Sequence, residues 1–308
     1  MQMRALLSIF VSMFVSVAEI AAQRSSWYSG DLLTSSQIQC ITEDPLGFVW
    51  IGTEYGLNRF DGYQFTTYLH DETNEYSLGN NYVRCMEPAS DGRIWVGTSR
   101  GLQLLSPESG EFRSVKIADG QWPYVNQILV LSGGEVWFLA SGLGVCRISD
   151  TVNLTAEHLE EITRQTGSRS HTCMMEDMHG ILWIGTETGL FQCNPRTLAV
   201  TRFEPDIISA NVTGVREDAS GNVYITTNTR IFRWSRTEDA LTELFGSRPY
   251  RDITHSFMDR DGVLYVALRG EGLRCYNEEE NRMFRYDDKG RETGINRLDV
   301  SAFYMDSH

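Results

Sequence analysis

Six side chains occupy matching places in a sequence repeat, and several of them could bind a ligand. Each falls in the predicted turn between the second and third strands of a repeat unit: Tyr55, Arg100, Ser141, Thr188, Arg230 and Arg269. A tyrosine ring can stack on the apolar face of a sugar, and an arginine can hold a carboxylate or sulfate through paired hydrogen bonds. We take Tyr55, Arg100, Arg230 and Arg269 as candidate ligand-binding residues. Ordinary solvated turn residues are the alternative, and a cleft elsewhere fits the sequence equally well.

Residues that could carry out catalysis or hold a metal do not occur at informative spacings. The six histidines show no H-E-x-x-H pattern, and the chain contains neither a G-x-S-x-G nucleophile motif nor a C-x-x-C pair. Residues 259–262 resemble the start of a calcium loop but lack its other ligands, so a plain turn is favoured. We therefore predict no enzymatic activity, no cofactor and no metal site.

The elements that position these side chains belong to a motif that occurs six times. At residues 43–57 it reads E-D-x-x-G-x-x-W-I-G-T-x-x-G-L, and its aromatic anchors are Trp50, Trp95, Trp137, Trp183, Tyr224 and Tyr265. Their spacing of 41 to 46 residues is typical of β-propeller blades, which repeat about every 40–45 residues. The pattern predicts an all-β propeller of four-stranded antiparallel blades, six complete and a seventh truncated.

Each repeat divides into four short strands joined by turns that contain Gly and Asp. In the first repeat, the strands fall near residues 38–41, 48–52, 57–60 and 62–68. We expect the motif glycines to need positive φ angles or close backbone approach, and the Trp to pack between adjacent blades. Residues 155–167 contain helix-forming residues and predict an insertion on the outer side of the third blade.

The two ends of the chain differ from the repeats between them. Residues 1–23 have a short basic start, an apolar stretch and small residues suited to cleavage, which predicts a secretory signal peptide; an uncleaved membrane anchor is the alternative. The propeller is predicted over residues 24–308, with Trp27-Tyr28 as an outer strand and the incomplete seventh blade starting at about residue 296. Because the last motif stops in its middle, the sequence reads as a fragment of a longer protein.

Composition restricts the partners and the chemistry further. A formal net charge of −14 argues against a nucleic acid or an anionic membrane as partner, because phosphate binding needs a basic surface. Arginine supplies all but two of the 27 basic residues, which suits acidic ligands but could equally reflect codon usage. Cys40, Cys85 and Cys173 share one place in three repeats, so we favour small buried residues over disulfide bridges.

Three stretches carry a resemblance to a known family. They are G-F-V-W-I-G-T at residues 47–53, G-L-N-R-F-D-G-Y at 56–63 and S-L-G-N-N-Y-V at 77–83. They resemble the two-component regulator propeller repeats in the periplasmic region of hybrid two-component sensor kinases. The resemblance covers about residues 25–308. The third repeat departs from it by lacking Gly-Thr after Trp137, and the fifth and sixth have lost the Trp.

The resemblance implies an exported, periplasmic sensor in polysaccharide utilisation. Such a propeller would bind an oligosaccharide and signal to a kinase in another part of the protein, so a second propeller and the kinase are the implied partners. Association of two copies is left open. The alternatives are a secreted propeller enzyme of the lyase type, with acid–base residues on one face, and a purely structural interaction module.

Overall fold

The structure is a computed structural model that describes residues 33–117, 120–204, 208–244, 252–277, 282–285 and 302. The predicted signal peptide and Trp27-Tyr28 lie outside the described residues. So does the predicted seventh blade, apart from Ala302. The chain divides into two compact units, the first of residues 1–115 and 302–308 and the second of residues 116–301. No helix within the described ranges has the length and apolarity needed to cross a membrane.

The described residues form six sheets, each with four consecutive antiparallel strands, and these are blades of a β-propeller. The first unit contains two of them. Blade 1 consists of β1 (Ile38–Glu43), β2 (Val49–Thr53), β3 (Gly56–Phe60) and β4 (Phe65–Tyr68). Blade 2 consists of β5 (Val83–Pro88), β6 (Ile94–Thr98), β7 (Gly101–Ser106) and β8 (Glu111–Ser114). The predicted four-stranded repeat is thus confirmed.

The second unit contains four blades. It begins with the short strand β9 (Lys116–Ile117). Blade 3 consists of β10 (Val125–Val130), β11 (Val136–Ala140), β12 (Gly144–Asp150) and β13 (Thr155–His158), followed by α1 (Glu160–Thr166). Blade 4 consists of β14 (His171–Glu176), β15 (Leu182–Thr186), β16 (Gly189–Cys193) and β17 (Val200–Phe203). Blade 5 consists of β18 (Val212–Glu217), β19 (Val223–Thr227), β20 (Ile231–Ser235) and β21 (Ala240–Leu244), and blade 6 of β22 (Ile253–Met258), β23 (Leu264–Leu268), β24 (Gly272–Asn277) and β25 (Arg282–Arg285).

Blade 3 differs from the other described blades in two respects. Strand β9 adds a fifth strand that runs parallel to β13, with Lys116 opposite Thr155 and Ile117 opposite Ala156. The predicted insertion over residues 155–167 is only partly correct. A helix does form at its C-terminal part, but Thr155–His158 is the outer strand of the blade, because it pairs with β12. Tertiary pairing overrides the helical composition of these four residues.

Four of the aromatic anchors pack against the next blade, as predicted: Trp50, Trp137, Trp183 and Tyr224. Trp50 belongs to a cluster with Val83, Ile94 and Val96 of the next blade. Trp183 packs in the same way against blade 5, where its ring centroid lies 5.6 Å from that of Trp234. Removing such a fully buried indole costs about 3–5 kcal/mol. These side chains therefore hold neighbouring blades together within each unit.

The aspartate of the motif closes the turn between the first and second strands. Asp44 Oδ1 accepts hydrogen bonds from the backbone N–H groups of Leu46 and Phe48, both at 3.0 Å, and Oδ2 accepts one from Trp50 Nε1 at 2.8 Å. Asp177 does the same in blade 4, with Trp183 Nε1 at 2.9 Å. The carboxylate thus satisfies both the turn and the buried indole N–H.

The glutamate that precedes this aspartate serves the neighbouring blade. Glu176 Oε2 accepts a hydrogen bond from the N–H of Ser132 in blade 3 at 2.5 Å, and Glu217 Oε2 accepts one from the N–H of Met178 in blade 4 at 2.8 Å. Each carboxylate therefore fixes the turn of the preceding blade. The recurrent acidic pair is structural at these positions.

The glycine that follows the anchor is required by close packing. A Cβ at Gly52 would lie 2.5 Å from Cys40 Sγ and 2.7 Å from Val83 Cγ1, and Gly185 has equivalent neighbours in Cys173 and Val212. The six cysteines, all of which lie within the described residues, form no disulfide bonds with one another. Burial raises the pKa of the Cys40 thiol to about 12. The prediction of small buried cysteines is confirmed for Cys173, whereas Cys40 and Cys85 are half-buried residues; the Cys40 sulfur itself packs against Gly52, which accounts for its desolvation.

Candidate functional site

All six predicted turn residues lie between the second and third strands of their blades. A threonine at the end of the second strand shapes each of the clearest turns. Thr53 Oγ1 donates to the carbonyl of Gly56 at 3.0 Å and accepts from the N–H of Tyr55 at 3.1 Å. The turn thus holds the backbone of Tyr55 in place, and the Tyr55 side chain is exposed. The same arrangement recurs at Thr98 around Arg100 and at Thr186 around Thr188.

Two of the four candidates, Tyr55 and Arg100, lie on neighbouring turns of the first unit. The N–H of Gly56 donates to the carbonyl of Asn81 at 2.6 Å, and the N–H of Ser99 donates to the carbonyl of Tyr82 at 3.1 Å. Two consecutive residues therefore connect the two turns. The Tyr55 side chain is 58% exposed. Arg100 is also exposed, and within the described part of the chain no carboxylate forms an ion pair with it.

The other two candidates, Arg230 and Arg269, lie on neighbouring turns of the second unit. The carbonyl of Asn228 accepts from the N–H of Ile253, and the carbonyl of Asp252 accepts from the N–H of Arg269 at 3.1 Å, so consecutive residues connect these turns as well.

Both of these guanidinium groups have carboxylate partners in their own units. Arg230 Nη1 lies 3.3 Å from Glu243 Oε2, and Arg269 Nε lies 2.6 Å from Asp252 Oδ2. Exposed ion pairs of this kind contribute little, about 0–1 kcal/mol, so an acidic ligand could replace the partner. Ser141 and Thr188 occupy the corresponding exposed turns of blades 3 and 4.

The opposite end of blade 4 contains a buried charge that serves packing. Burial opposes ionisation of Asp177, but hydrogen bonds from Trp183 Nε1, the Ile181 N–H and Arg236 outweigh this effect, and the pKa of the carboxyl is lowered. Arg236 Nη2 lies 2.6 Å from Asp177 Oδ2 and stacks over the Trp234 ring. A carboxylate with all these partners is held in its ionised form and serves the blade interface.

Sequence reasoning missed a pocket on the outer side of blade 3. It has a volume of about 510 Å³, and its walls include Lys116, Gln121, Trp122, Ser149 and Glu157. Trp122 is 47% exposed. Its position outside the repeated motif is the sequence feature that could have indicated this pocket. The five other tryptophans that the structure describes are buried. Among the described residues, no group of three or more His, Cys, Asp or Glu side chains could hold a metal ion.

Comparison with known sequences identifies the repeat. Residues 32–55, 77–100 and 165–188 match the family model of the two-component regulator propeller. These three segments are two-component regulator propeller repeats. Each matched segment ends in the turn between the second and third strands of its blade, at Tyr55, Arg100 and Thr188. A search of curated protein sequences found no match.

Solved structures share the fold of this chain. The extracellular domain of a putative hybrid two-component system from B. thetaiotaomicron aligns with a TM-score of 0.73 and 21% identity, and that of a putative one-component system from the same organism with 0.73 and 17%. Both alignments cover 88% of this chain, which spans only 38% of either solved chain. A virginiamycin B lyase from Staphylococcus aureus aligns with a TM-score of 0.65 and 14% identity, over 83% of this chain and 86% of the lyase.

Proposed function

We propose that this chain is the ligand-sensing propeller of an exported hybrid two-component system that controls polysaccharide utilisation. It binds an oligosaccharide outside the inner membrane and transmits the binding event to a kinase elsewhere in the same protein. The presence of regulator propeller repeats carries this proposal. The resemblance in fold to the extracellular domains of a putative one-component system and a putative hybrid two-component system supports it.

The exposed turns between second and third strands are the proposed ligand-binding surface. Tyr55 and Arg100 lie on turns connected through Asn81 and Tyr82, and both side chains are exposed. A sugar ring stacked on Tyr55 could place an acidic substituent near Arg100, where a bidentate contact with a carboxylate is favourable. Arg230 and Arg269 would bind in the same way after releasing their exposed carboxylate partners.

Calorimetric titration tests this proposal. The full periplasmic region would be titrated with neutral and acidic oligosaccharides. Replacing Tyr55 or Arg100 with alanine is expected to weaken binding at least tenfold. Two matched controls lie in turns between third and fourth strands, at the other end of their blades: Tyr63→Ala, where the side chain is 88% exposed, and Arg196→Ala, also exposed. These are expected to leave the affinity unchanged.

Several results would reject the proposed site or the proposed function. If all four variants bind the oligosaccharide with the affinity of wild type, the ligand does not contact the turns of Tyr55 and Arg100. If no oligosaccharide binds, the sensor assignment itself fails. The proposal assigns no catalytic step to the chain, so virginiamycin B incubated with it should remain intact by mass spectrometry. Its cleavage would favour the lyase alternative.

A further inference from the structure

The outer face of blade 3 presents a row of polar side chains beside the pocket. Strand β9 pairs with β13 so that Lys116 lies opposite Thr155, and Glu157 falls on the same face two residues along the strand. Ser149 of β12 joins this face, because its hydroxyl lies 3.1 Å from that of Thr155. The alternate residues Ile117 and Ala156 are buried. The added strand therefore widens the blade and provides an outward-facing polar floor.

Trp122 supplies an apolar wall to this polar floor. It follows β9 after a turn in which the N–H of Gly120 donates to the carbonyl of Ile117 at 2.8 Å. About half of the Trp122 side chain is exposed, although the other described tryptophans are buried. An aromatic face beside hydroxyl, amide and carboxylate groups matches a sugar ring, which has one C–H face and a polar rim. The pocket volume of about 510 Å³ is within the range of small-molecule sites, roughly 300–1,000 Å³.

The charges around the pocket favour an acidic ligand. Glu157 is paired with Arg147, whose Nη2 lies 2.5 Å and whose Nε lies 3.1 Å from Glu157 Oε1. Lys116 is exposed, and within the described ranges no carboxylate forms an ion pair with it. In a chain with a formal net charge of −14 and only one other lysine, Lys289, the pocket thus retains an available cation.

From this geometry we infer that the outer pocket of blade 3 is a binding subsite for an acidic saccharide. Trp122 stacks on the sugar ring, Lys116 pairs with its carboxylate, and Gln121 and Ser149 bind hydroxyl groups. This inference rests on the proposed function and locates a ligand site at a different place from the exposed turns.

Tryptophan fluorescence and calorimetry on the full chain test the subsite. The probes are a trisaccharide of galacturonate and the neutral trisaccharide of galactose. Because Trp122 is the exposed indole among those described, the galacturonate probe should change its emission, and Trp122→Ala should abolish that change and weaken binding at least tenfold. Lys116→Gln should weaken binding of the acidic probe about tenfold while leaving the neutral probe unaffected. Tyr63→Ala is the control for loss of an exposed aromatic side chain.

The possible outcomes separate this inference from the proposed function. Circular dichroism would verify that each variant is folded. If the acidic probe or another oligosaccharide binds equally well to wild type, Trp122→Ala and Lys116→Gln, the subsite is rejected and the sensor function stands. If the neutral and acidic probes bind alike and Lys116→Gln has no effect, the acidic specificity is rejected. If no saccharide binds the full chain, both proposals are rejected.

Discussion

Blade 2 lacks the aspartate that accepts a hydrogen bond from the anchor indole in blades 1 and 4, and introducing it should stabilise the protein. The position equivalent to Asp44 and Asp177 is Ala89, and Trp95 Nε1 is buried with no hydrogen-bond partner among the described residues. The backbone of the turn is nevertheless the same. The N–H of Ala89 donates to the carbonyl of Arg93 at 2.8 Å, as that of Asp44 does to Phe48 at 3.0 Å. Ala89→Asp therefore places a carboxylate where the turn can accept it.

The expected gain follows from the cost of the unpaired indole. A buried N–H without a partner costs about 1–3 kcal/mol, and a hydrogen bond to a charged group contributes about 1.5–3 kcal/mol. Repulsion from Asp91, which is paired with Arg93, reduces the benefit. We expect a net stabilisation of about 1 kcal/mol, or a rise in melting temperature of about 2–4 °C for a chain of this size.

A double-mutant cycle with Trp95→Phe separates this mechanism from a general effect of charge. Chemical denaturation of wild type, both single variants and the double variant would give the coupling free energy. Because phenylalanine has no N–H to satisfy, Ala89→Asp should lose most of its benefit in the Trp95→Phe background. A coupling near zero, or a destabilising effect of Ala89→Asp alone, would refute the reasoning.

Three further predictions concern pH and packing. Burial lowers the pKa of His171 from 6.5 to about 4, so the unfolded chain takes up a proton at this imidazole before the folded protein does. About 3 kcal/mol of stability is therefore lost as the pH falls from 6.5 to 4. The His171→Gln variant, measured by urea unfolding, should lack that loss. Burial raises the pKa of Glu87 from 4.5 to about 7, so about 3 kcal/mol of stability is lost as the pH rises from 4.5 through 7. Glu87→Gln should therefore be more stable than wild type by about 3 kcal/mol at pH 8 but not at pH 4. Gly185→Ala should cost about 1–3 kcal/mol by thermal denaturation, because its Cβ would lie 2.5 Å from Cys173 Sγ, whereas Gly133→Ala, with no neighbour within 4 Å, should be neutral.

The repetitive part of the fold could be predicted because each repeat has the same physical requirement. A strand that is buried on both faces needs an apolar run, and the turn before it needs a glycine with a positive φ, such as Gly47 at 82° or Gly180 at 74°. An indole buried between blades needs an acceptor, which the motif aspartate supplies to Trp50 and Trp183. These needs are local in sequence, so the spacing of Trp, Gly and Asp reveals them.

Contacts between residues far apart in sequence could not be predicted in this way. The pair Asp177–Arg236 joins residues 59 positions apart, and the parallel strand β9 contains only two residues. The ion pairs of Arg230 and Arg269 depend on which carboxylates fold beside them. The sequence could therefore indicate the turns that carry the candidate side chains, but not which guanidinium groups would already have partners.

The two ends of each blade have different tasks, and this explains where ligand binding is proposed. At the end with the turns between first and second strands, Asp44 and Asp177 hold the backbone and the indole, and Glu217 holds the neighbouring turn. Those polar side chains are committed to the fold. At the other end, the threonine–glycine turn fixes the backbone by itself, so a residue such as Tyr55 can vary among repeats without loss of the blade. Side chains that do not stabilise the blade are the ones available to bind a ligand.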